Sequence, residues 1–176
     1  MISTARRLLI EYQTSEQSEK LIAAIESGCE IGLMTGQSLK SIGDQLWSKD
    51  TKTAIKVYQK AIELDPSTPW VFNQLGLAYQ RQENFQKAIE NYKEEIKRRP
   101  KEATVSYSNC AFCLAALGKR DEAIALCKRG ETLEKEDWLV PNMLGLLLQL
   151  EGDPEGAEEA YRSCLLYTSP SPRDRG

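Results

Sequence analysis

The stretch FNQLGLAYQRQENFQKAIENYKEEIKRRP, running from Phe72 to Pro100, decides the fold. It reads as two helices with a small residue at a fixed place on each, Gly76 on the first and Ala88 on the second. A small residue lets a neighbouring helix approach closely, and the aromatics Phe72, Tyr79, Phe85 and Tyr92 fill the space between. Pro100 ends the second helix, because its ring clashes with the preceding turn and it brings no N–H donor.

The same pattern recurs along the chain. The alanines that open AIKVY at Ala54, AIENY at Ala88, AIALC at Ala123 and AEEAY at Ala157 are separated by 34, 35 and 34 residues. Upstream of each lies a second helical stretch whose small position keeps step: Ile42-Gly43, Leu75-Gly76, Cys110-Ala111 and Leu144-Gly145. A fixed period of this length is the mark of a repeat array, with two helices per unit.

At these points the residues resemble the tetratricopeptide repeat over roughly residues 37–163. The second copy carries the resemblance best, with Phe72, Leu75-Gly76, Tyr79, Phe85, Ala88, Tyr92 and Pro100 all in place. The implied fold is all-α: a right-handed α-solenoid of antiparallel helix pairs, with about four repeats. Some positions depart from the pattern. The first copy is one residue short between Gly43 and Ala54, Glu95 stands where alanine is expected, the third copy lacks its proline, and Pro141 replaces an aromatic in the fourth.

Residues 1–36 match no repeat. Ser3 can cap a helix reaching about Tyr12, and Thr14 with Gln17 forms a capping box before a second helix striped by Leu21, Ile22 and Ile25. This segment is expected to cap the first repeat, with Gly28, Gly32 and Gly36 marking a loose connection. At the other end the pattern breaks at Cys164. The run CLLYTSPSPRD, from Cys164 to Asp174, resembles residue for residue the translation of a transposon-type sequencing adapter. Residues 164–176 are therefore expected to be non-native and the chain a fragment, so its two Ser-Pro pairs carry no regulatory meaning.

Composition narrows the function. A net charge of −3 without a massed basic face argues against nucleic acid. Lys97, Arg98, Arg99 and Lys101 sit where cations suit a helix C-terminus. The longest apolar run, Met143 to Leu148, is far short of the roughly 20 residues that span a bilayer. With no secretory leader legible, the cytoplasm is the expected compartment. No histidine is present, which removes the commonest general base and metal ligand.

Three groups suggest chemistry, and each has a plainer reading. Cys110, Cys113 and Cys127 fall on core positions of their repeat, where free cysteine packs as a small apolar residue. Gly32, Gly36 and Lys40 lack the spacing of a phosphate loop. The pairs Glu94-Glu95 and Glu158-Glu159 point about 100° apart on a helix and read as solvated faces. No catalytic set, cofactor or metal is expected.

The resemblance implies a concave groove lined by the first helix of each pair, holding a peptide or protein segment in extended form. Carried over by register, its lining is Lys40 and Asp44; Trp70, Asn73, Gln74, Leu77 and Arg81; Val105, Ser108, Asn109 and Phe112; and Asn142, Met143 and Leu146. The amides of Asn73, Asn109 and Asn142 recur near one level, so they could hold a ligand backbone whatever its sequence. Some relatives clamp chaperone carboxylates in this groove. Lys40 suits that role, but Asp44, Gln74 and Val105 do not. The expected function is a non-catalytic protein-interaction module. The alternative is the substrate-recruiting arm of a larger enzyme such as a glycosyltransferase or sulfotransferase.

Overall fold

A computed structural model describes residues 18–30, 32–133 and 138–168. All regular structure among them is helical. The chain divides into two compact units, Met1–Asn84 and Phe85–Gly176. The first holds α1 (Ser18–Glu30), α2 (Gly36–Leu46), α3 (Thr51–Leu64) and α4 (Val71–Arg81). The second holds α5 (Phe85–Arg98), α6 (Thr104–Ala116), α7 (Arg120–Leu133), α8 (Leu139–Glu151) and α9 (Pro154–Thr168). The helix expected from Ser3, the Thr14–Gln17 capping box and the end of the chain from Ser169 lie outside the described residues.

In the first unit α2 pairs with α3, α4 packs on α3, and α1 lies against α3 with Leu21 and Ile25 buried. The interlock of α2 and α3 is specific. A Cβ on Gly43 would fall into the ring of Tyr58, 2.7 Å from Cδ1 and 2.8 Å from Cζ, and Tyr58 is fully buried. Gly145 meets Tyr161 in the same way in the second unit, 2.7 Å from Cδ1. The residue missing from the first copy comes out of the end of α2, which stops at Leu46, three residues past Gly43, where α4 runs to Arg81, five past Gly76; glycine still faces tyrosine.

Helix ends follow from local chemistry. Thr35 caps α2 in a reciprocal box, its Oγ1 accepting from Ser38 N (3.1 Å) while Ser38 Oγ accepts from Thr35 N (2.9 Å). Asp50 caps α3 through Thr53 N at 3.1 Å. α3 and α5 stop just before Pro66 and Pro100. Pro141 falls in the first turn of α8, where a missing N–H removes no helical bond.

The glycines read as a loose connection need correction. Only Gly32, with φ +71°, serves a turn. Gly28 is buried inside α1 against Met34, and Gly36 opens α2 where a Cβ would strike Thr68 Oγ1 and come within 2.9 Å of Asp65 Cβ. Both are close-approach positions. α9 continues through Thr168, past the point where the repeat pattern breaks, and Cys164 Sγ donates to Trp138 O at 3.0 Å.

In the second unit α6 touches α5 and α7, α8 touches α7 and α9, and α6 and α8 lie against each other. The core there includes Tyr107, Cys110, Cys113, Cys127, Val140 and Leu144.

Candidate functional faces on the first helix of each pair

The residues predicted to line a groove fall into two groups of different character, one in each unit.

In the first unit most of them are engaged with one another. Asp44 on α2 accepts from Lys40 Nζ (2.7 Å), from the Tyr58 hydroxyl of α3 (2.9 Å) and from Gln74 Nε2 of α4 (2.8 Å). One carboxylate thus ties three helices together. Asn73 is only 6% exposed, and its amide donates to Gln74 Oε1 at 3.4 Å. The phenol of Tyr58 is held well above its ordinary range, first by burial and then by the Asp44 charge. Lys40, Asp44, Asn73 and Gln74 form one hydrogen-bonded network, in which the Asp44–Tyr58 and Asp44–Gln74 bonds cross between helices. Trp70 precedes α4 in a left-handed conformation, φ 64°, and is half-buried, as is Leu77. Arg81 is exposed and lies 5.2 Å over the Trp47 ring, a cation–π stack.

The second unit is different. On α6, Val105 and Phe112 are exposed and Asn109 is half-exposed; on α8, Asn142 and Leu146 are exposed and Met143 is half-exposed. These recur every three or four residues, so each helix leaves one stripe open. Phe112 and Leu146 are each 44% exposed, and Leu150, one turn beyond Leu146, is 58% exposed. Phe112 is braced edge-on by Phe85, with ring centroids 6.5 Å apart. Ser108, expected on this face, is buried.

The amide ladder therefore does not appear as three equally open groups. Asn73 is buried, Asn109 half-exposed and Asn142 exposed. The step of one position at Asn109 was visible in the sequence. The burial of Asn73 was not, because no local pattern announces it. Leu150 escaped the register argument, although it continues the row Asn142–Leu146 at four-residue spacing.

The cysteines sit in the core. Cys110, Cys113 and Cys127 are fully buried, and burial pushes their thiols up to about 12, about 11 and about 12. A thiol so reluctant to ionise is a poor nucleophile and a poor metal ligand. Among the described residues no group of three His, Cys, Asp or Glu side chains is placed to hold a metal ion. None of their helices is long and apolar enough to cross a membrane.

Two family profiles match the chain: "TPR repeat" over residues 48–83 and "Tetratricopeptide repeat" over residues 71–102. The small glutamine-rich tetratricopeptide repeat-containing protein 2 of Mycosarcoma maydis is 32% identical over 99 residues, which cover 56% of this chain and 28% of that protein. The chain thus spans little more than a quarter of that relative. Among solved structures, MamA superposes with a TM-score of 0.72 at 16% identity, covering 95% of each chain. PilF of Pseudomonas aeruginosa gives 0.70 at 17% identity, covering 95% of this chain and 76% of that one. YrrB, described as a TPR protein with an unusual peptide-binding site, gives 0.64 at 20% identity, covering 84% and 74%. At these identities the superpositions establish the fold, an α-solenoid of helix pairs.

Proposed function

Starting from a chain that carries tetratricopeptide repeats, we propose that it is a non-catalytic interaction module, which binds a peptide or protein segment across the open face of α6 and α8. The observation that carries this reading is an open apolar stripe on each of two contacting helices, with Phe112 on one and Leu146 on the other. Exposed large apolar side chains grouped in this way mark contact surfaces. Asn109 and Asn142 lie beside them, and each amide offers a donor and an acceptor to a ligand backbone. Peptide binding by YrrB, which shares the fold, supports the assignment.

In the first unit, Trp70, Leu77 and Arg81 keep accessible surface, while Asp44, bonded to Tyr58 and Gln74, holds the helices that present them. The partner is a protein or peptide, bound without cofactor, nucleic acid or membrane, and the site of action is the cytoplasm.

The reading is tested by selecting peptides from a random library on the full chain and titrating the best of them. Phe112→Ala and Leu146→Ala should each weaken binding by about 1 to 2 kcal/mol, in the range of central contact residues. Lys128→Ala, an exposed position on α7, should change nothing. Equal loss in all three variants would rule out this face.

A further inference from the structure

The α6–α8 face has a property that the α2–α4 face lacks. From Thr104 to Ala116, α6 contains no Asp, Glu, Lys or Arg, and α8 contains none from Leu139 until its last residue, Glu151. That glutamate lies at the helix end and is paired with Arg120 at 3.6 Å. The α2–α4 face carries Lys40, Asp44 and Arg81. Two adjacent helices in a chain with 28% charged residues thus present an open face with no formal charge at its centre.

From this we infer that the face formed by Val105, Asn109, Phe112, Asn142, Leu146 and Leu150 selects an uncharged, apolar peptide segment and discriminates against charges of either sign. The inference rests on the proposed function and adds the chemistry of the ligand. A Lys or Glu side chain laid between Phe112 and Leu146 loses water and finds no opposite charge, a cost not met by any group on the two helices. A Leu or Val side chain in the same place loses nothing and covers apolar area. Backbone groups of the ligand are served by Asn109 and Asn142, whose amides bond without preference for side chain. Neighbouring helices lie about 8 to 10 Å apart, so an extended ligand crossing both needs roughly six residues at about 3.3 Å each. The selected segment is therefore about six residues long and free of charge.

The full chain is titrated with a dye-labelled octapeptide of alternating Ser and Leu, and with copies in which a central Leu is replaced by Lys or by Glu. The uncharged peptide should bind most tightly, and each charged copy should be weaker by about tenfold or more. Its affinity should hold between about 0.05 and about 0.5 M salt, since no ion pair contributes. In Leu146→Glu the two charged copies should separate, with the Lys peptide binding better than the Glu peptide. If the Lys or Glu copy binds as well as the uncharged one and Phe112→Ala still weakens binding, the selectivity is wrong while the interaction face stands. If binding ignores both Phe112→Ala and Leu146→Ala, or if no peptide binds, the face itself is wrong and both readings fall.

Discussion

Replacing Gly43 by alanine tests how the helix pairs are held. The added Cβ would lie 2.7 Å from Tyr58 Cδ1 and 2.8 Å from Cζ, where ordinary contacts begin near 3.4 Å. The ring must therefore move by several tenths of an ångström, yet Tyr58 is fully buried and its hydroxyl is bonded to Asp44 at 2.9 Å. Overpacking a core costs about 1 to 3 kcal/mol. Weakening a hydrogen bond to a carboxylate adds about 1.5 to 3 kcal/mol. Against this, alanine improves on glycine inside a helix by about 1 kcal/mol. The net expectation is a loss of about 3 kcal/mol, read as a lower urea midpoint, or a fall in Tm of roughly 6 to 12 °C for a chain of this size. In a Tyr58→Ala background the obstruction is gone, and the same Gly43→Ala change should stabilise by about 1 kcal/mol. A Gly43→Ala cost that persists unchanged in that background would refute the glycine–tyrosine interlock. Gly145→Ala should cost less than half as much, because Tyr161 is only half-buried and can tilt outward.

Asp44→Ala removes the acceptor shared by Lys40, Tyr58 and Gln74, and should cost about 3 kcal/mol in urea unfolding. Asp44→Asn keeps an oxygen for the tyrosine or the glutamine and should cost about 1 kcal/mol, because the Lys40 ion pair is partly exposed and worth little. The buried thiols predict a pH effect. Their folded values lie above the ordinary 9.0, so the unfolded chain releases protons first and stability falls as pH rises from there toward 11 or 12. The loss should be about 1 kcal/mol per thiol between about pH 8 and about pH 10, and Cys110→Ala with Cys127→Ala should remove most of the thiol share of that slope. A thiol reagent at neutral pH should label the half-buried Cys29 and Cys164 well before those three.

The helix pairs and their register were legible because small residues recur every 34 or 35 positions, and the core glycines and cysteines fell where that period put them. What escaped were effects of long-range contact. Asp44 meets Tyr58 fourteen residues on and Gln74 thirty residues on, and no local pattern announces such bonds. Asn73 looked like a groove amide by register, but it is buried beside Gln74. Gly36 read as a linker because glycine signals a turn and a close approach with the same letter, and only the position of Thr68 and Asp65 separates the two. The open face of α6 and α8 was legible in part: Phe112, Asn109, Asn142 and Leu146 were named from register and the lack of charge stands in the two segments, whereas the contact between the two helices needs the fold.

The central claim is that the ligand lies on α6 and α8, and amide shift mapping tests it most directly. With the alternating Ser–Leu octapeptide added to isotopically labelled full chain, the perturbed amides should cluster at Val105, Asn109, Phe112, Asn142 and Leu146. Shifts gathered instead on the outward positions of α7 and α9, such as Lys128 and Glu158, would contradict it.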